Sequence, residues 1–305
     1  MKPEDGCIRY IVNPKSGARN GTSVGRQFEQ YLLKKGFEVT RDLTASLENA
    51  RELAAAAAGD SDCAMVVGVG GDGTIREIAQ GLAGSSKPLM IVPRGTENLL
   101  ATELGFDARL KTLIRTFERE CIRPLDLGSA NGKCFTSIAG FGFDAHVVER
   151  VSANRTGHIS YLTYVGPIWR AFWDYEFGPM RVQVDGEEIF DGPCLVFVGN
   201  ISRYAMGLRI LHSADFGDGL LDVCIFKCMD RLQLVKLSAM TALKQHGNGA
   251  DFIYRQGKEI VVSSATTGIK TEIDGDPGPP LPVHIKVIPH AVNVIVPRRS
   301  HEQKS

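Results

Sequence analysis

Three short loops carry residue types suited to holding phosphate. The sharpest is Gly68-Val69-Gly70-Gly71-Asp72-Gly73-Thr74, set between an apolar run and an amphipathic one. Glycines let the backbone approach an anion, and a helix N-terminus just after them presents unsatisfied N–H groups and a positive dipole end. Asp72 would repel bare phosphates, so an acid in this position favours a magnesium nucleotide. The loop also reads as a glycine-rich turn with Asp72 capping the helix. Asn13-Pro14-Lys15-Ser16-Gly17 offers backbone donors and one point charge, and Pro93-Arg94-Gly95-Thr96-Glu97-Asn98 offers a hydroxyl and an amide. Each alone could be a polar turn; three converging on one sheet edge is the stronger signal.

The elements that must position these loops follow from periodicity. Strands are expected at 9–13, 37–40, 63–69 and 88–92, and helices at 24–35, 47–58, 75–82, 97–104 and 108–119. Strands alternating with helices predict a doubly wound α/β domain over residues 1–125. Beyond it, β-branched runs at 134–139, 181–184, 194–198, 222–226, 259–263, 284–287 and 293–296 predict an antiparallel β-sandwich or open barrel over 126–287. Helices are expected at 161–175 and 231–244, and the chain end at 288–300 is free to return to the first domain. Val184-Asp185-Gly186-Glu187 predicts a tight hairpin.

Composition narrows the function classes. The 35 basic and 35 acidic residues cancel, so no nucleic-acid partner is expected. The charged start and short apolar runs point to a cytoplasmic protein, associated with membranes peripherally at most. The 7 cysteines form no C-x-x-C and read as reduced, mostly core thiols. No G-x-x-x-x-G-K-[ST], protein-kinase signature or G-x-S-x-G occurs. His146, His158, His212, His246, His284 and His290 lack metal spacing and read as surface or satisfied residues.

Taken together, the three loops resemble those of the diacylglycerol kinase catalytic-domain superfamily, which includes bacterial soluble lipid kinases and sphingosine and ceramide kinases. The likeness runs through nearly the whole chain, and Gly70-Gly71-Asp72-Gly73-Thr74 is its most specific part. It implies an ATP- and Mg2+-dependent lipid kinase with nucleotide held between the two domains. Asn13, Pro14, Lys15, Ser16, Gly17, Thr44, Gly70, Gly71, Asp72, Gly73, Thr74, Glu77, Gly95, Thr96 and Asn98 become the implied nucleotide residues. The segment Asp215 to Asp222 resembles an element in which Asp218 and the carbonyls of Asp215 and Leu220 hold structural magnesium. Ile273-Asp274-Gly275-Asp276 resembles the D-G-E that supplies the base, making Asp276, or Asp274, the catalytic acceptor. Both segments also read as Asp-Gly turns.

The chain departs from that pattern in three places. Leu99 stands where the family has Asp, leaving Asp72 and Asp126 of a magnesium-linked carboxylate network. Asp276 replaces Glu, and Arg76 adds a cation where Asn is frequent. These departures leave open a catalytically silent nucleotide sensor; an NAD-linked enzyme is the third reading, from the G-x-G-x-x-G spacing. On the acceptor side, Tyr161, Tyr164, Trp169, Phe172, Trp173, Tyr175 and Phe177 could pack in the core, line an acyl cleft or meet a membrane surface transiently. Self-association, as a homodimer, is left open.

Overall fold

The computed structural model describes residues 2–16, 24–153, 161–243 and 249–298. They form two compact units, Met1–Leu127 with Pro289–Ser305, and Gly128–Ile288.

The first unit alternates β1 (Cys7–Val12), α1 (Val24–Lys34), β2 (Val39–Leu43), α2 (Leu47–Gly59), β3 (Cys63–Gly70), α3 (Asp72–Leu82) and β4 (Leu89–Pro93), then α4 (Leu99–Glu103), α5 (Leu110–Arg119) and β5 (Ile122–Ala130). Parallel pairing places β1 between β2 and β3, and β3 beside β4. β3 is almost wholly buried, as a parallel strand covered on both faces must be. On one side Phe28 of α1 and Phe117 of α5 meet edge to face, with ring centroids 6.0 Å apart. On another, the alanines of α2 admit α3 so closely that a Cβ on Gly81 would lie 2.4 Å from the Arg51 carbonyl oxygen.

The second unit holds β6 (Lys133–Phe135), β7 (Ile138–Phe141), α6 (Phe143–Ala153), α7 (Tyr161–Asp174), β8 (Pro179–Val184), β9 (Glu187–Gly199), β10 (Leu221–Lys227), α8 (Arg231–Ala242), β11 (Phe252–Gly257), β12 (Glu259–Ser263), β13 (Thr271–Ile273), β14 (Asp276–Pro277) and most of β15 (Val283–Ile295). The first half of β9 pairs with β8, its second half with β7 and β10, so one long strand serves both sheets of the sandwich. Alternation does the sorting: Val196 and Val198 face the sandwich core, whereas Leu195 and Phe197 face Phe226, Leu234 and Leu237. The Asp185-Gly186 hairpin forms, both residues taking positive φ (50° and 84°). All seven cysteines are free, and five are buried. Among the described residues no helix is long and apolar enough to cross a membrane.

Several expected elements shift for identifiable reasons. α3 starts at Asp72 rather than 75, because Gly71 takes the N-cap position. α4 shrinks to Leu99–Glu103, because Asn98 is left-handed (φ 50°). The run 134–139 breaks at Thr136-Ser137, whose amides turn to the Asp274 carboxylate. The strands expected at 284–287 and 293–296 are one, β15. His290 takes φ 50° and gives its N–H to Asp126, so the strand resumes after Pro289. β5, α6, β11, β13 and β14 carry no matching expectation.

Candidate active site

In the first unit the loops after β1, β3 and β4 lock together at the C-terminal edge of the sheet. The Asn13 backbone N–H donates to Val69 O at 3.0 Å, the Thr44 N–H to Val12 O at 2.9 Å and the Arg94 N–H to Gly70 O at 2.8 Å. Asn13 Oδ1 accepts from the Lys15 amide at 2.9 Å, which leaves Nδ2 to donate to Thr74 Oγ1 at 2.8 Å. Asn98 folds back on Gly95 reciprocally, Oδ1 accepting its N–H at 2.6 Å and Nδ2 donating to its carbonyl at 2.9 Å. Thr44 and Thr74 are buried; Pro14, Lys15 and Thr96 are exposed, and Ser16 is half-buried. Gly17 lies outside the described residues.

The glycines divide by purpose. A Cβ on Gly70 would sit 2.6 Å from Thr74 Cβ, and one on Gly95 would sit 2.7 Å from Gly71 Cα, so loop packing requires all of these to be small. Gly73 is different: a Cβ there meets nothing closer than a Leu47 methyl at 3.8 Å. Its fold does not need glycine. It lies in the first turn of α3, whose opening N–H groups have no intrahelical acceptor, so a small residue there keeps backbone donors approachable.

The acids and cations near this edge are partly engaged. Asp72 Oδ1 accepts from the Leu100 amide at 3.3 Å, so the backbone at the start of α4 meets the acid where the family pattern would place another carboxylate at Leu99. Arg76 does not stand out toward phosphate: it is buried, and its Nε and Nη2 reach Glu77 Oε1 at 3.2 and 3.1 Å. Glu77 is thereby held in an ion pair on α3, with Arg51 at 3.9 Å. Asp126 is fully buried, its Oδ1 accepting from His290 N–H at 2.6 Å. Among the described residues no three His, Cys, Asp or Glu side chains converge as a metal cluster.

In the second unit, Asp274 and Asp276 flank the β13–β14 turn, Asp274 and Gly275 at φ 49° and 79°. Asp274 is an anchor. Its Oδ2 accepts from Thr136 N at 2.9 Å and Thr136 Oγ1 at 3.2 Å, and its Oδ1 from Ser137 N at 2.9 Å and Ile138 N at 3.1 Å. Four donors leave that carboxylate little capacity to take a proton from a hydroxyl. Asp276 is half-buried and pairs in register with Ile273. Asp215 Oδ1 accepts from Gly217 N, and Asp218 Oδ1 from Leu220 N at 3.0 Å, so each acid closes its own turn.

Sequence reasoning passed over a second carboxyl pair. A Cβ built on Gly140 would lie 2.0 Å from Asp144 Oδ2 and 2.8 Å from Glu272 Oε1, so glycine at 140 lets two acids crowd onto one backbone face. Glu272 is 2% exposed, and Oε2 accepts from Gly275 N at 2.7 Å. Burial, then the neighbouring Asp144, pushes its carboxyl well above the ordinary range. Burial also raises Asp144 to about 6, opposed by bonds from the Ala145 amide and the Tyr204 hydroxyl. Asp144 Oδ1, the Tyr175 hydroxyl and His146 Nε2 are buried without a hydrogen-bond partner among the described residues. His146 is half-buried, and its Nε2 is not satisfied as expected. The signal was Gly140-Phe141-Gly142-Phe143-Asp144, two glycines with an acid behind them.

These two units have recognisable counterparts. Residues 8–130 match the diacylglycerol kinase catalytic domain, and residues 137–296 the YegS C-terminal NAD kinase beta sandwich-like domain. The crystal structure of a diacylglycerol kinase from Bacillus anthracis str. Sterne superposes with a TM-score of 0.71 at 20% identity, covering 95% of this chain and 96% of that one. The chain thus has the two-part fold of these proteins, a catalytic-domain unit followed by a sandwich unit. A diacylglycerol kinase of Mycobacterium tuberculosis (strain ATCC 25618 / H37Rv) is 31% identical over 303 residues, 97% of this chain and 96% of the relative. That of Bacillus subtilis (strain 168) is 25% identical over 299 residues, 97% and 98% of the two chains. The chain belongs to the diacylglycerol kinase family and is a lipid kinase.

Proposed function

We propose that this enzyme transfers the γ-phosphoryl group of ATP to a hydroxyl of a diacylglycerol-like or sphingoid lipid. The observation that carries the reading is the first turn of α3: N–H groups with no acceptor inside the helix, a glycine at 73 that packing does not require, and flanking loops fastened by Asn13 and Asn98. Those donors would bind the phosphates, Lys15 would add positive charge, and buried Thr44 and Thr74 would complete the floor. Asp218 with the Asp215 and Leu220 carbonyls, and Asp72 with Asp126, are oxygen-only donor sets that suit Mg2+. Held by Asp72 and Asp126, the ion would neutralise phosphate charge during transfer, whereas at Asp218 it would be structural.

In the transfer, the lipid oxygen bonds to the γ-phosphorus, the bond from that phosphorus to the β–γ bridging oxygen breaks, and ADP leaves. The hydroxyl proton passes to a carboxylate. Asp276 is the residue to take it, Asp274 being saturated by four donors. Asp144 is the second candidate, on one observation: a buried Oδ1 without a partner on an acid raised to about 6. The test is transfer of labelled γ-phosphate, with magnesium, to a panel of diacylglycerols, monoacylglycerols and sphingoid bases in mixed micelles. One of these lipids should be labelled. Clear ATP binding with no lipid labelled would overturn the proposal.

A further inference from the structure

We infer that α7 and α8 together form an apolar face that docks on the surface of a lipid bilayer; this rests on the lipid kinase reading and names how the enzyme meets its substrate. A surface helix of a globular protein ordinarily has one apolar face, turned inward. α5 obeys that rule, burying Leu113, Thr116 and Phe117 under a charged exterior. α8 does not. Leu234, Leu237 and Thr241 already fill its inward side, yet Leu232 (80% exposed) and Val235 stand in solvent, followed by Leu243 just past its end. α7 repeats the pattern: Ala171 and Phe172 face inward, while Ile168, Trp169 (63% exposed) and Trp173 (54%) face out.

The two helices make one surface. Arg231, the first residue of α8, donates from Nε to Phe172 O at 2.8 Å, and its guanidinium also bonds Trp173 O. Exposed Met229 lies beside that junction in sequence. Trp169 and Trp173 pack edge to face with centroids 5.7 Å apart, and they are the chain's only 2 tryptophans.

The chemistry selects the occupant. Paired indoles with aliphatic neighbours suit the headgroup–acyl boundary, where rings bury an apolar body and keep N–H in polar surroundings. Charge is sparse: Asp174 pairs with Arg150, Lys236 with Asp251, and exposed Arg170 has no ionic partner among the described residues. A neutral chain has no global attraction to anionic lipid, so attachment has to come from the apolar face itself, aided by Arg170.

The experiment uses the full chain with sonicated vesicles of phosphatidylcholine containing a minority of phosphatidylglycerol, without ATP or acceptor. Both tryptophans report from the face. On adding vesicles their emission should move to the blue and be quenched by lipids brominated near the headgroup, with modest sensitivity to salt. Leu232→Asp should lower vesicle partitioning ~10-fold, the scale of losing one buried leucine. It should leave turnover of a monomeric, short-chain acceptor unchanged and the circular dichroism intact. Absence of quenching, or equal partitioning of L232D, overturns the inference. So does a blue shift that tracks protein concentration without vesicles, together with a sedimenting dimer, since the face then joins two copies. Because no phosphoryl transfer is read, vesicle binding without lipid labelling would sink the kinase reading alone.

Discussion

Asn13 Nδ2 donates to Thr74 Oγ1 at 2.8 Å, tying the loop after β1 to the first turn of α3. With Oδ1 committed to the Lys15 amide, the orientation of the Asn13 amide is fixed. Thr74 Oγ1 accepts this bond, so its own hydroxyl hydrogen is not spent on Asn13. Asn13→Asp should reverse that polarity, because Thr74 would then donate to the carboxylate, and it would place a negative charge beside the phosphates. We expect KM for ATP to rise ~10-fold or more with little change in Tm. Steady-state kinetics at varied ATP would show it; an unchanged KM removes Asn13 from the site.

The contrast between Gly70 and Gly73 gives a second prediction. Alanine at 73 meets only ordinary contacts and replaces a helical glycine, so it should stabilise by ~0.5–1 kcal/mol. It should also weaken ATP, because its methyl occupies the face where the backbone donors lie. Alanine at 70 collides with Thr74 at 2.6 Å and should cost ~1–3 kcal/mol. Thermal melts with ATP titrations of both variants decide the matter. If G73A binds ATP as the parent does, Gly73 does not contact nucleotide.

Asp274 and Asp276 should separate into structure and chemistry. Removing the Asp274 carboxylate strands the donors of Thr136, Ser137 and Ile138, so Asp274→Ala should cost ~2–5 kcal/mol. Asp274→Asn should fare little better, since one amide group would face N–H donors. Asp276→Asn should keep its Tm and lose ~100-fold or more in kcat. A D276N enzyme with near-parental turnover would move the base elsewhere, Asp144 first.

What was legible in the sequence was local. β12 is found at 259–263 as expected, and Asp185-Gly186 states its own hairpin. The loops proposed to hold nucleotide declared themselves by glycine content at strand ends. α6 was hidden because Val147, Val148 and Val151 read as β-branched residues until packing overrides their weak helix propensity. Pro289 has no N–H to give a strand ladder; the sequence-distant Asp126 carboxylate, accepting from His290, explains why β15 continues. Periodicity found the aromatic stripe of α7 but could not tell which face was covered. That depends on α6 and the sandwich filling one side while no described residue of the unit fills the other. The Asp144–Glu272 pair is tertiary: the glycines before Asp144 mark one acid, but no spacing brings Glu272 to it.

That pair sets a pH dependence opposite to ordinary acid denaturation. Both acids have folded values raised above their unfolded ones, Asp144 from 3.8 to about 6 and Glu272 upward from 4.5. Their contribution to stability is therefore fully present below about pH 4 and is lost as pH rises through 6 and beyond. Glu272→Gln keeps an acceptor for the Gly275 amide and removes the proton. The Tm difference, variant minus parent, should be near zero or negative at pH 4 and grow more positive up to pH 8. A flat difference would mean that the two carboxyls do not interact. The variant also relieves Asp144 of an acid neighbour, so its carboxyl should ionise more readily. If Asp144 is the base, the acid limb of kcat/KM lies near pH 6 in the parent, moves lower in E272Q and disappears in Asp144→Asn. If Asp276 is the base, that limb stays in place in both variants.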